Sequence, residues 1–210
     1  GGKYPRIERQ LHHYGSALNA VPLFDAYRAD PSDLRLLRIA YGGMMGGITN
    51  IDRDGFSSAA FHSAPDMMRW DPYSGDYGMG FYGHAITAAS YLVNDPIFGW
   101  LGFGGTVEVV ADAIGIVPKD GARARLFVAP AGLWITLESG KIARATYRPS
   151  TGLVTLTLDA ATATTPTARV FVETTTKTGR QYAAAGARQD RGGYTIALGA
   201  VPTQLDLSPQ

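Results

Sequence analysis

The chain has 210 residues, 45% of them apolar, with 19 Lys and Arg against 18 Asp and Glu, a net charge of +1 and no cysteine. So even a balance gives no electrostatic reason to expect nucleic acid or an anionic membrane surface as a partner, and the missing cysteines exclude disulfides and thiol chemistry. No apolar run approaches the roughly 20 residues that a membrane-spanning helix needs.

The length accommodates one large domain or two small ones, and a shift in composition favours two. All four histidines, all five methionines and ten of the acidic residues precede Leu101, while the rest is rich in Thr and Val. The expected domains are therefore 1–100, helical, and 101–210, built of strands. The chain opens on Gly1-Gly2-Lys3 without a methionine, which suggests a processed product or a fragment of a longer polypeptide.

Arg9 to Tyr27 reads as a helix, with Leu11, Tyr14, Leu18, Val21 and Phe24 at three- and four-residue steps, and Pro22 is expected to kink or split it. A second helix is expected to start with Asp30 as N-cap, Pro31 at the first position and Asp33 in the first turn. Its buried face would be Leu34, Leu37, Tyr41 and Met44, and Gly46-Gly47 should end it. A third helix is expected from about His84 to Val93, burying Ala85, Ala88, Ala89 and Leu92, with Asn94-Asp95-Pro96 as its stop.

Ile97 to Gly105 reads as an apolar, glycine-punctuated connector. Beyond it apolar and polar residues alternate: 107–109, 123–128, 133–138, 154–159 and 169–173, with weaker runs at 194–198 and 204–207. Turn signals fall at Lys119-Asp120-Gly121, Ser139-Gly140 and Ser150-Thr151-Gly152. Short, evenly spaced strands with one apolar face predict an antiparallel β-sandwich.

Between the second and third helices lies the chemically richest stretch, Gly42 to His84. A connection this long is functional or disordered, and its many aromatic rings argue against disorder. Asp52-Arg53-Asp54-Gly55 has the look of a calcium loop, but the twelfth position expected to be acidic would be Ser63, so the EF-hand pattern fails. An Asp-Gly turn with solvated carboxylates, or a catalytic role for Asp52 or Asp54, competes with calcium there.

Asp66, Asp71 and Asp76 interleave with Trp70, Tyr73 and Tyr77. Saccharide sites need that mixture: flat rings cover a sugar's apolar face, while carboxylates accept hydroxyl protons or perform acid/base steps. His13-Tyr14 and Tyr82 with His84 offer a His/Tyr pair of the kind a polysaccharide lyase uses, although a buried structural histidine is the commoner arrangement. The histidines show no zinc spacing, and no nucleophile elbow, P-loop or dinucleotide loop occurs. No cofactor is therefore expected beyond the calcium option at Asp52 and Asp54.

The segments LHHYGSALNAVPLFDAYR, YGGMMGGITNIDRDGF and YGMGFYGHAITAASYLVNDPIFGW resemble a bacterial family labelled as a domain of unknown function and grouped with the six-hairpin glycosidases. The resemblance implies an α+β architecture: an N-terminal helical segment forming part of an (α/α) toroid, followed by the antiparallel β-sandwich. It also implies an exported bacterial protein, secreted or periplasmic, that acts on polysaccharide or oligosaccharide. Too few helices are present to close a ring around a core, so a companion chain carrying the missing helices is expected.

The resulting expectation is a glycoside hydrolase with Asp52, Asp54, Asp71 and Asp76 as candidate acid/base or nucleophilic carboxylates. His13, Tyr14, Trp70, Tyr73, Tyr77, Tyr82 and His84 are the candidate substrate contacts. A polysaccharide lyase is one alternative. It needs cations to neutralise a uronate, and the loop stretch offers only Arg53 and Arg69. The other alternative is a non-catalytic carbohydrate-binding or scaffolding module.

Overall fold

The computed structural model describes residues 13–46, 80–119, 123–175 and 180–210. The chain forms two compact units. The first takes in Gly1–Tyr27 and Asp33–Ala88, the second Arg28–Ser32 and Ala89–Gln210.

Among the described residues, the first unit is helical. Helix α1 spans His13–Ala29 and passes through Pro22 without a break. Proline removes one backbone donor and crowds the preceding turn, yet Pro22 lies on the exposed side. The buried face is Ala17, Ala20, Phe24 and Tyr27, so it is displaced from the expected stripe, leaving Leu18 and Val21 half-buried.

Helix α2, Leu34–Gly46, buries Leu37, Ala40 and Met44; the expected stop at Gly46-Gly47 runs into residues outside those described. Its N-cap is Asp33 rather than Asp30. The Asp33 carboxylate accepts the Arg35 N–H at 3.0 Å, whereas Asp30 closes a separate turn by accepting the Ser32 N–H at 3.1 Å. Helix α3, Gly80–Thr87, is the third.

The expected helix to Val93 is corrected by the structure: residues Ser90–Asp95 form strand β1. Tyr91, Leu92 and Val93 are all buried, and a short continuous apolar run fits a strand covered on both faces as well as it fits a helix. The chain break at Asn94-Asp95-Pro96 is real but closes a hairpin. The Asp95 carboxylate accepts the N–H groups of Ile97 and Phe98 at 2.8 and 3.0 Å, and β2, Gly99–Phe103, returns antiparallel to β1. The expected connector is thus largely strand, and the second unit's continuous part begins at Ala89.

The remaining strands are β3 Gly105–Val110, β4 Ala113–Pro118, β5 Arg125–Val128, β6 Leu133–Ser139, β7 Ile142–Tyr147, β8 Val154–Leu158, β9 Thr167–Thr174, β10 Tyr182–Ala184, β11 Arg188–Asp190, β12 Gly193–Ala197 and β13 Thr203–Pro209. They make two sheets, ordered β11-β12-β9-β6-β5-β1-β2 and β10-β13-β8-β7-β4-β3. Pairing is antiparallel except between β1 and β5.

Alternation explains how the sheets share one core. Leu92, Leu126, Ile135 and Val170 from the first sheet cluster with Ile116, Ile142, Leu156 and Leu207 from the second. The alternate side chains of the first sheet, Tyr91, Phe127 and Trp134, fall outside that cluster and gather on each other, with Tyr91 6.0 Å from Phe127 and 6.4 Å from Trp134 between ring centroids. Exposed ion pairs, Arg144 with Glu108 at 2.7 Å and Arg169 with Glu138 at 3.1 Å, each add about 0–1 kcal/mol. The shared core carries the stability.

Candidate functional site

Within the two-sheet unit a groove of about 760 Å³ opens beside the ends of β5, β7 and β10. Three local features build it. Beyond β5, Ala129–Ala131 form a 3-10 turn containing Pro130, closed by Gly132 in the left-handed region at φ 60°, where glycine carries no Cβ penalty. Beyond β7, Pro149 blocks further pairing and the chain turns through Ser150-Thr151-Gly152. There the Arg148 carbonyl accepts the N–H groups of Thr151 and Gly152 at 3.3 and 2.8 Å.

The third wall is the segment after α1. The Arg28 carbonyl accepts the Thr175 hydroxyl at 2.7 Å. The Arg28 guanidinium lies 4.4 Å from the Trp134 ring centroid and donates to the Tyr91 hydroxyl at 3.3 Å. A cation over an aromatic face is held by the ring's quadrupole, and these contacts place Ala29, Asp30 and Pro31 on the groove.

Two tyrosines and an arginine give the groove its chemistry. Tyr147 ends β7, buried, with its ring 6.1 Å from that of Trp100. Tyr182, half-buried at the start of β10, donates its hydroxyl to the Gly152 carbonyl at 2.9 Å. Burial is the largest influence on both hydroxyls and raises them above the ordinary tyrosine value. For Tyr147 the nearby Arg180 opposes the shift and Asp112 adds to it. For Tyr182 the neighbouring Tyr147 adds and Arg180 opposes. Both therefore stay neutral donors and acceptors at physiological pH. Arg180 and Asp30 supply one charge of each sign, and Asp30 is the sole carboxylate on the groove among the described residues.

The expected site residues stand differently. Asp52, Asp54, Trp70, Asp71, Tyr73, Asp76 and Tyr77 lie outside the described residues, and so does the calcium option at Asp52 and Asp54. His13 and Tyr14 open α1, and Tyr82 and His84 belong to α3. The Nδ1 atom of His84 is buried without a hydrogen-bond partner among the described residues.

Sequence reasoning missed Tyr147, Arg180 and Tyr182. The available signal was an aromatic at a strand end just before a Pro-Ser-Thr-Gly turn. Among the described residues no group of three His, Asp or Glu side chains is placed to hold a metal ion, and no helix is long and apolar enough to cross a membrane.

No curated protein and no solved structure matches the chain. Residues 1–205 match the family of unknown function DUF5695, and the chain belongs to that family.

Proposed function

We propose that the chain is an exported carbohydrate-acting protein, a glycoside hydrolase, and that the groove of its two-sheet unit at Tyr147 and Tyr182 is a saccharide-holding site in its own right. In this reading the acid/base carboxylates come from Asp52, Asp54, Asp71 and Asp76, with Trp70, Tyr73 and Tyr77 as sugar-stacking rings. The two sheets form the β-sandwich that follows part of an (α/α) toroid.

The observation that supports the reading is the groove itself. It joins aromatic hydroxyls, an arginine and a carboxylate in one concavity, the mixture of ring surface and hydrogen-bonding groups that sugars need. Glycosidic hydrolysis requires two carboxyl groups about 5–5.5 Å apart for retention or about 6.5–9.5 Å apart for inversion. Asp30 alone does not meet that requirement, which favours a second reading in which the groove binds sugar without cleaving it.

A glycan panel with product analysis separates the two. Under the hydrolase reading, wild-type chain releases reducing ends and at least one Asp→Asn substitution among Asp52, Asp54, Asp71 and Asp76 abolishes release. Binding on the same panel without turnover in wild type selects the non-catalytic reading. Unsaturated products absorbing in the ultraviolet would mean a lyase instead, and absence of both binding and turnover would reject a carbohydrate role.

A further inference from the structure

We infer that the groove of the two-sheet unit selects saccharides bearing a carboxylate, holding that group on the Arg180 guanidinium beside the Tyr147 hydroxyl. The inference rests on the saccharide reading above and narrows it to uronate-containing chains.

The donors left open on the groove decide what it can hold. The turn at 150–152 offers none from its backbone: the Ser150 N–H goes to Asp112 at 3.2 Å, and those of Thr151 and Gly152 go to the Arg148 carbonyl. The Gly132 N–H goes to the Ala129 carbonyl at 3.0 Å, and the Tyr182 hydroxyl to Gly152. A ligand meets instead the Tyr147 hydroxyl and the Arg180 guanidinium.

Arg180 is held by its backbone, its carbonyl accepting the Thr174 hydroxyl at 2.7 Å. Its side chain forms no ion pair among the described residues, unlike Arg123, Arg144 and Arg169. Gly152, at φ +74°, packs its turn against the groove: a Cβ there would stand 3.3 Å from Pro209 Cγ, 3.6 Å from the Tyr182 hydroxyl and 4.0 Å from an Arg180 nitrogen.

Neither nearby acid forms an ion pair with this cation among the described residues. The Asp112 carboxylate is occupied by the Ser150 N–H and hydroxyl. Asp30 accepts the Ser32 N–H at 3.1 Å. A planar guanidinium matches a carboxylate through two parallel N–H bonds, so Arg180 suits a uronate carboxylate while the sugar's neighbouring hydroxyls meet the Tyr147 hydroxyl. A sulfate ester presents the same oxyanion edge, and the test separates the two sources.

Isothermal titration with the full chain uses oligogalacturonates and alginate oligomers, their carboxyl-reduced counterparts, and a sulfated galactan oligosaccharide. Wild type is expected to bind at least one uronate roughly 10- to 100-fold tighter than its reduced form, the size of a hydrogen bond to a charged group, and to lose that margin as salt rises. Arg180→Ala should erase the ratio, and Tyr147→Phe should shrink it; circular dichroism checks that both variants fold.

Equal affinity for uronate and reduced oligomers, or a uronate preference that survives Arg180→Ala, overturns the inference while the saccharide reading stands. So does tight binding confined to the sulfated oligomer. Failure to bind any of the probes, acidic or neutral, overturns the inference, and the glycan panel above then decides the saccharide reading.

Discussion

The Asp33 carboxylate acts on the first turn of its own helix. Asp33 caps α2 and pairs with Arg35 at 3.0 Å. The hydrogen bond from the Arg35 side chain, followed by that from its N–H, holds the Asp33 carboxyl below its ordinary value of 3.8. A carboxyl lowered in the folded state stabilises it above the unfolded value, and that contribution is lost as pH falls through the folded value. Asp33→Ala is therefore expected to lower the melting temperature of the helical signal in far-ultraviolet circular dichroism at neutral pH, with the gap to wild type closing in acid. Asp33→Asn should retain most of the effect if capping dominates, because asparagine caps about as well as aspartate. Asp30 carried the same sequence signature as Asp33, and nothing in residue type distinguishes them. The choice depends on where the chain leaves α1 to join the two-sheet unit.

Among the elements, the passage from β2 to β3 is the most constrained. A Cβ on Gly102 would lie 2.7 Å from the Gly105 carbonyl oxygen, and one on Gly105 would lie 2.9 Å from that of Val117. Both obstacles are backbone and cannot rotate away. Gly104 between them sits at φ 68°, which other residues rarely adopt. Gly102→Ala is expected to destabilise the two-sheet unit by about 1–3 kcal/mol, the usual cost of overpacking, read as a lower urea midpoint. An unchanged midpoint would mean the corner is softer than described. The glycines were legible in the sequence as punctuation; the close strand crossing that needs them was not. The same limit accounts for β1, since Tyr91-Leu92-Val93 carries no period that separates a two-sided strand from a helix.

For the molecule as a whole, stability rests on the core shared by the sheets. Leu156 is fully buried within it, and Leu156→Ala should cost about 2–5 kcal/mol through lost burial and a residual cavity. The urea midpoint of the two-sheet unit should fall with little change in slope. If the helical and two-sheet signals unfold at separate midpoints, only the second should move. The companion chain expected from the sequence is open to native mass measurement: a folded monomer with the mass of this chain alone would count against it.

What the sequence determined by itself was the material of each part. Heptad-like spacing around Leu37 and Met44 set α2, and alternation set β6, β8 and β9. These depend on periods of a few residues, which short-range chemistry writes directly into the chain. Tertiary structure decided the rest: that Arg28–Ser32 belongs with the sheets, that β1 lies parallel to β5, and that Tyr147, Arg180 and Tyr182 meet at one groove. Their positions are 33 and 2 residues apart in the sequence, and what joins them is the pairing of β7 with β8, β8 with β13 and β13 with β10. Hydrogen bonding between strands carries no local signature of which strand will be the partner, so a site assembled from strand ends becomes visible only once the sheets are formed.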